Sequence, residues 1–205
     1  DAAMPSLADL FEQTLTIRFE HQAPREYALE TPFERLSLMA SSPRLEELMG
    51  KLESRYKIYK LRDALAELGA DRDRIYIDTP PALNFFTRSA LIAADGCLIP
   101  FDCDDFSRRA LYALLENVEE IRADHNPALK IEGIVVNQFQ PRASLPQRLV
   151  QELIEEGLPI LPTYLSSSVK IRESHQQARP MIHLDPRHKL SQEFVQLHAR
   201  LELPA

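Results

Sequence analysis

The chain has 205 residues and a mass of 23.5 kDa, enough for one domain with a hydrophobic core. Apolar residues make up 44% and charged residues 27%, so the composition excludes a disordered or collagen-like chain. The net charge of −7 argues against a protein that coats nucleic acid through its overall charge, and leaves only a local basic patch for that role. Even the two closest of the five glycines, Gly50 and Gly69, are too far apart for a glycine-rich phosphate-binding loop.

The first third of the chain predicts helices joined by loops. Ser6 is a predicted N-cap for a short helix through Phe11, and the following residues up to Pro32 have the composition of a loop. A short strand is predicted at residues 36–39. Apolar residues then recur at helical spacing from residue 44 to Gly69, and the pattern leaves room for a break at residues 54–57.

From residue 74 onward, short apolar runs alternate with amphipathic segments. The runs predict strands at residues 74–78, 96–100, 131–136 and 159–161. The amphipathic segments predict helices at residues 84–94, 107–123, 145–156, within 166–177, and from 187 to about 201. This alternation predicts an α/β fold, in a single domain spanning residues 1–205, whose mostly parallel sheet has helices on both faces. Ligands of such sheets bind at the carboxyl ends of the strands.

Asp78 directly follows the apolar run at 75–77, so it is expected where a buried strand reaches the ligand edge of the sheet. A carboxylate at that point can hold Mg²⁺ through water. An isolated aspartate after a strand is more often a helix cap or a loop residue. Thr79-Pro80-Pro81 favours the functional interpretation, because two prolines remove backbone donors and restrict the φ angles of the loop.

Five segments of the chain resemble, in order and spacing, motifs of the ParA-type partition ATPases, in the MinD/ParA branch of deviant P-loop proteins. They are SLADL at 6–10, IYIDTPPALN at 75–84, ALIAAD with LIP at 90–100, IEGIVVN at 131–137, and RPMI with DP at 179–186. The family's glycine-rich K-G-G-x-G-K-[ST] loop and its acidic D-x-D-P-Q segment would precede residue 1. The chain therefore resembles the family without its N-terminal βαβ portion, and we favour truncation over a naturally short form.

The resemblance implies an ATPase that uses ATP and Mg²⁺ and forms a homodimer in the ATP state. The dimer would bind DNA nonspecifically, and a ParB-like centromere-binding partner would stimulate hydrolysis, so that chromosome or plasmid cargo is partitioned or positioned. The implied location is the cytoplasm, in association with the nucleoid and without a membrane partner. Because it lacks the phosphate-binding loop, the 205-residue chain by itself is not expected to hydrolyse ATP.

The resemblance also assigns roles in the nucleotide site. Asp78 would hold Mg²⁺ through water, while Thr79, Pro80 and Pro81 would form the switch that senses the γ-phosphate. Asn137 would hydrogen-bond the adenine edge, since its amide has both a donor and an acceptor; the alternative is an asparagine that only starts a turn. Pro162 would lie in the loop that packs against the base.

Lys170, Arg172 and Arg179 correspond to the region where relatives place basic residues that touch the DNA backbone. Phosphate contacts need positive charge and no base-specific geometry. The alternative interpretation is a solvated basic stretch that balances Glu173 and Asp185. Further basic residues could extend the patch: Arg187, His188 and Lys189, and the pair Arg108-Arg109, although relatives usually carry an apolar residue at position 108.

Three other functions remain open from the sequence. The first is a MinD-like positioning ATPase that acts on a protein array or a membrane, although the C-terminal helix is not basic enough for a membrane anchor. The second is a metabolic relative such as dethiobiotin synthetase or cobyrinic acid amide synthase, for which no additional set of polar residues is evident. The third is a nucleotide-free interaction fragment. Cys97 is expected to be a buried strand residue, and the cysteines and histidines lack zinc-site spacing.

Overall fold

The computed structural model describes residues 4–16 and 21–202. It divides into two compact units: unit 1 contains Asp1–Asp95 with Glu120–Leu129, and unit 2 contains Gly96–Glu119 with Lys130–Ala205. The single domain over residues 1–205 stays a prediction. Residues 17–20 of the predicted N-terminal loop lie outside the described residues.

Unit 1 is built mainly from helices. Its elements are α1 (Leu7–Gln13), β1 (Leu29–Glu30), β2 (Ser37–Leu38), α2 (Arg44–Ser54), α3 (Lys60–Leu68) and α4 (Phe85–Ala93), with short 3-10 helices at Pro24–Tyr27 and Gly69–Asp71. The predicted start of α1 is confirmed: the Ser6 backbone N–H and hydroxyl both donate to Asp9 Oδ2, at 2.9 and 2.6 Å. The predicted strand at 36–39 is confirmed as β2, whose antiparallel partner β1 lies in a stretch with the composition of a loop.

The long helical pattern of unit 1 is interrupted where the sequence leaves room for a break. Tyr56, between α2 and α3, has a φ of 53°, a left-handed conformation that ends a helix. Apolar residues of α2 and α3 pack into one core with α1 and α4. In this core, Phe11 of α1 and Phe85 of α4 meet edge to face with ring centroids 6.1 Å apart. The buried residues of this core are Ala8, Phe11, Leu48, Leu52, Leu61, Phe85 and Ala90.

The strand predicted at residues 74–78 does not form, and this prediction is wrong. The segment has no regular secondary structure, and its third apolar residue, Ile77, packs against the core of unit 1. Ile75 and Tyr76 are 38% and 70% exposed. A strand requires a neighbouring strand to pair with, and no strand among the described residues pairs with this segment. Local composition thus identifies an apolar run here but does not determine whether it pairs as a strand.

Unit 2 contains the parallel part of the fold. Its elements are β3 (Gly96–Asp102), α5 (Asp105–Asp124, which continues into unit 1), β4 (Lys130–Asn137), α6 (Ser144–Glu155), α7 (Lys170–Gln176), α8 (Met181–Leu184) and α9 (Lys189–Leu201). The sequence predicts all of these except α8, with bounds close to those observed. The strand predicted at residues 159–161 is reduced to one parallel bridge, between Ile134 and Ile160.

Helices cover both faces of β4, as the α/β prediction requires. Ile134 packs in a cluster with Leu111 of α5 and Leu153 of α6. The next residue, Val135, points to the opposite face and packs with Leu190 and Leu197 of α9. This alternation makes the strand apolar along its length, which is typical of a sheet buried on both sides, and the predicted α/β class is confirmed.

Gly133 lies at an irregularity of the β3–β4 pair. Cys97 pairs with Ile131 and Leu98 with Gly133, so Glu132 is an extra residue in β4. Gly133 has a φ of +152°, and a Cβ there would lie 2.5 Å from Leu161 Cγ. Both the backbone conformation and the close approach of Leu161 therefore require glycine at this position.

We expect Gly133→Ala to lower the free energy of unfolding by about 1–3 kcal/mol, because the new methyl group overlaps Leu161 and strains the backbone. Chemical denaturation measures this change. The matched control is Gly50→Ala within α2, where a Cβ has open space and alanine should stabilise the helix by about 0.5–1 kcal/mol. Equal stability of Gly133→Ala and the unsubstituted protein would contradict the expectation.

Candidate functional site

The loop that carries Asp78 is attached to the start of α4. Asn84 is the N-cap, and its Oδ1 accepts hydrogen bonds from the N–H groups of Phe86 and Thr87 at 3.0 and 3.2 Å. The Thr87 hydroxyl donates to the carbonyl oxygen of Ala82 at 2.6 Å. Residues 82–84 are therefore held by side chains of the helix and its cap.

The acidic and proline residues precede this anchored segment. Asp78, Thr79, Pro80 and Pro81 are all exposed in the structure. The Pro80 carbonyl accepts a hydrogen bond from the Ala82 N–H at 2.8 Å, which closes a tight turn centred on Pro81. The loop thus presents a carboxylate and a hydroxyl to solvent on a segment with little backbone freedom.

The second group of polar side chains lies in unit 2, at the carboxyl ends of β3 and β4. Asp102 and Asn137 are paired residues at these two ends. Asn137 Nδ2 donates to Asp102 Oδ1 and Gln138 Nε2 donates to Asp102 Oδ2, each at 2.9 Å. Asp102 and Asn137 are half-buried, while Gln138 is exposed and has a left-handed φ of 51°.

Asp102 is a candidate site residue that the sequence interpretation did not single out, and its hydrogen bonds with Asn137 and Gln138 reveal it. The sequence marks Asp102 in the same way as Asp78, because Asp102 follows the apolar strand from residue 96 and Asp78 follows the apolar run at 75–77. Its neighbour Cys103 has a free thiol whose pKa is raised to about 11 by burial, and further by the charges of Asp102 and Asp104. This raised pKa favours the neutral thiol over the thiolate beside the site.

Pro162 lies on a segment, residues 161–165, that runs beside β4. The Leu161 N–H donates to the Ile134 carbonyl at 2.9 Å, and the Leu165 N–H donates to the Val136 carbonyl at 2.8 Å. These two bonds hold residues 161–165 beside the end of β4, with Pro162 exposed between them. The structure thus places Pro162 beside the carboxyl end of β4 in unit 2, and its predicted contact with the base stays a prediction.

The predicted DNA-binding residues lie on α7 and just after it. Lys170 Nζ contacts Glu173 Oε2 at 2.9 Å, and this hydrogen bond raises the pKa of Lys170. Arg172 and Arg179 are exposed. Lys189 also has an acidic neighbour, since its Nζ lies 3.4 Å from Glu193 Oε1. The two arginines are therefore the best candidates for contacts with a polyanion.

Arg108 does not extend this basic surface, because its guanidinium group is held by α6. Nη1 contacts Glu152 and Nη2 contacts Glu156, both at 2.6 Å. The pKa of Arg108 is raised, first by the hydrogen bond with the Tyr112 hydroxyl and then by that with Glu152. Arg108 therefore links α5 to the C-terminal end of α6.

Residues 4–16 and 21–202 contain no group of three or more histidine, cysteine or acidic side chains that could hold a metal. Mg²⁺ does not require such a group, since it keeps several waters and uses one or two carboxylates together with phosphates. The exposed carboxylate of Asp78 fits this mode. None of the helices in the described parts of the chain combines the length and the hydrophobicity that crossing a membrane requires.

Comparisons with known proteins agree with the resemblance seen in the sequence. A family model described as an AAA domain matches residues 5–131. The chromosome partitioning protein ParA of Myxococcus xanthus is 32% identical over 146 residues, which cover 70% of this chain and 51% of that protein. The chain spans about half the length of the curated relatives it matches.

Solved structures share the fold at low sequence identity. The apo form of McdA from Cyanothece has a TM-score of 0.84 at 20% identity, covering 98% of this chain and 79% of that one. Cobyrinic acid a,c-diamide synthase of Mycobacterium smegmatis, with bound ADP and magnesium, has a TM-score of 0.70 at 22% identity, covering 89% of this chain and 74% of that one. The family match over more than half of the chain, together with the ParA relatives, shows that this chain belongs to the ParA-type partition ATPases of the P-loop class.

Proposed function

We propose that the protein is an ATP-driven partition ATPase, which dimerises when ATP is bound, binds DNA nonspecifically as a dimer and releases it after hydrolysis. A ParB-like partner stimulates hydrolysis, and the protein works in the cytoplasm on the nucleoid. The observation that carries this proposal is the anchored loop of residues 78–84, which presents Asp78 and Thr79 to solvent immediately before the cap of α4.

In this proposal, Asp78 holds Mg²⁺ through a water molecule. When bound, Mg²⁺ would neutralise charge on the nucleotide phosphates and so assist their hydrolysis. Pro80 and Pro81 keep the loop stiff, so a shift at Thr79 in response to the γ-phosphate is passed on to α4 through residues 82–84. The attachment of Thr87 to Ala82 supports this coupling, because it ties the loop to the helix by a direct hydrogen bond.

The nucleotide base is recognised at the end of β4. Asn137 hydrogen-bonds the adenine edge, and Pro162 contributes an apolar surface beside it. Support comes from the half-buried position of Asn137 and from the backbone hydrogen bonds that hold residues 161–165 next to β4. A polar amide at the carboxyl end of a parallel strand also lies where α/β sheets bind their ligands.

DNA is bound by Lys170, Arg172 and Arg179. Exposed positive charge supports the role of the two arginines. The ion pair between Lys170 and Glu173 favours a second candidate function, a positioning ATPase that acts on a protein array, because it reduces the net positive charge of this surface. Measurement of DNA binding by the ATP-bound dimer distinguishes the two functions.

The nucleotide site is tested by Asn137→Ala in the full-length protein. We expect this substitution to weaken ATP binding by about 1–3 kcal/mol, because it leaves a polar edge of the base without a partner. Isothermal titration calorimetry measures the change, with the exposed nearby amide Gln140, replaced by alanine, as the matched control. Equal ATP affinity of Asn137→Ala and the unsubstituted protein would return Asn137 to the role of a turn residue.

A further inference from the structure

Asp102 accepts hydrogen bonds from two consecutive amide side chains at the end of β4. We infer that Asp102 is a positioning residue that orients the Asn137 amide and thereby makes the site select a purine with an exocyclic 6-amino group over one with a 6-oxo group. The inference rests on the proposed role of Asn137 as the residue that contacts the base.

The orientation of the Asn137 amide follows from the chemistry of its partner. A carboxylate only accepts hydrogen bonds, whereas an amide has a donor and an acceptor end. The end of Asn137 that faces Asp102 must therefore be Nδ2, which lies 2.9 Å from Asp102 Oδ1. An inverted amide would place two acceptor oxygens in contact, which is unfavourable. The amide oxygen is thus directed away from Asp102, and the hydrogen bonds found among the described residues include none to it.

Gln138 completes the arrangement by a change in backbone conformation. Successive side chains of a strand point to opposite sides, so Asn137 and Gln138 could not both reach one carboxylate if the strand continued. The φ of 51° at Gln138 redirects its side chain, and Nε2 reaches Asp102 Oδ2 at 2.9 Å. A left-handed conformation at a residue other than glycine has an energetic cost, and such residues cluster at functional sites.

The second amide limits the freedom of Asp102 itself. With one donor on each oxygen, the carboxylate is held between Asn137 and Gln138 and cannot rotate without losing a hydrogen bond. The parallel register places Asp102 directly beside Asn137 at the ends of β3 and β4. Their side chains therefore meet across the two neighbouring strand ends. The position of the amide is therefore set by strand pairing as well as by side-chain contacts.

The end of the Asn137 amide that faces away from Asp102 determines which base fits. An amide oxygen accepts a hydrogen bond from the 6-amino group of adenine, and it repels the 6-oxo group of guanine. An inverted amide would present an NH₂ group and would favour the 6-oxo group. Because Asp102 holds the Asn137 amide with its oxygen directed toward the base, Asp102 sets the preference for ATP over GTP without contacting the nucleotide.

Asp102→Asn in the full-length protein tests this inference. The amide introduced at position 102 can accept from or donate to Asn137, so both orientations of the Asn137 amide become available. We expect the ratio of GTP to ATP dissociation constants, measured by calorimetry, to fall at least about tenfold, with the midpoint of thermal unfolding nearly unchanged. Asp102→Glu retains an acceptor-only group and should keep the preference for ATP.

The matched control is Asp104→Asn, which removes the same charge two residues away. Asp104 caps α5 by accepting a hydrogen bond from the Ser107 N–H at 2.7 Å, a role that asparagine retains. An unchanged GTP to ATP ratio in Asp102→Asn would overturn the inference while leaving the proposed function intact. Failure of the unsubstituted full-length protein to bind either nucleotide would overturn both.

Discussion

Asp78→Asn in the full-length protein is expected to lower the kcat for Mg²⁺-dependent ATP hydrolysis by about 100-fold or more. The substitution keeps the shape of the side chain and removes the charge that would hold the metal ion near the phosphates. Asp78 is exposed and lies before the segment anchored to α4, so folding should be preserved. Phosphate release at saturating ATP measures the effect, and the affinity for ATP in the absence of Mg²⁺ should change little.

The control for this experiment lies five residues before Asp78 in the chain. Asp73 is 86% exposed and pairs with Arg35 at 2.7 Å, a surface ion pair that contributes little to stability. Asp73→Asn removes the same charge and should leave kcat unchanged. If both variants hydrolyse ATP at the unsubstituted rate, Asp78 is a loop residue and the metal is held elsewhere.

Reversal of two arginine charges, Arg172→Glu with Arg179→Glu, is expected to weaken strongly the nonspecific DNA binding of the ATP-bound full-length protein. Affinity for a polyanion depends on the number of phosphates that are neutralised, and each contact contributes about −0.9 to the log–log salt slope. Loss of two contacts should therefore reduce the steepness of the slope by about 2. These arginines are preferred to Lys170 for the test, because Lys170 is already paired with Glu173.

Fluorescence anisotropy with a random-sequence duplex measures DNA binding, and sedimentation measures ATP-dependent dimerisation, which should persist. The matched control reverses two exposed charges elsewhere in unit 2, Lys130→Glu at the start of β4 and Arg200→Glu near the end of α9. This control should bind DNA with little loss. If the two double variants bind equally well, the α7 surface is a solvated edge, and the protein-array function becomes the better proposal.

Much of the fold could be predicted from the sequence because its signals are local. The break between α2 and α3, the cap of α1 by Ser6 and Asp9, and the strand ending at Asn137 each depend on residues close together in the chain. Only a weak local signal marks β1, a two-residue strand that forms because β2 pairs with it. The single bridge at Ile160 shows the same limit, since a short apolar run does not determine how much of it pairs.

The sequence was enough to propose which polar residues form the candidate site, but not which side chains contact them or their neighbours. Asp78 and Asn137 stand out in the sequence because polar side chains follow apolar runs. The partners of Arg108 and Lys170 could not be predicted in this way. Glu152 and Glu156 are far from Arg108 in the chain, and they meet it only because α5 and α6 pack on the same face of the sheet.

By itself, the sequence determined the order of helices and strands in this protein, its ParA-type family and the positions of the polar residues that end its strands. These properties follow from hydrophobic periodicity, capping residues and motif spacing, all of which act over a few neighbouring residues. Only the tertiary structure decided that residues 74–78 join none of the sheets formed by the described residues, and that the Asn137 amide turns its nitrogen toward Asp102. Strand pairing and amide orientation depend on hydrogen-bond partners brought together by the fold, and no local pattern in the chain specifies them.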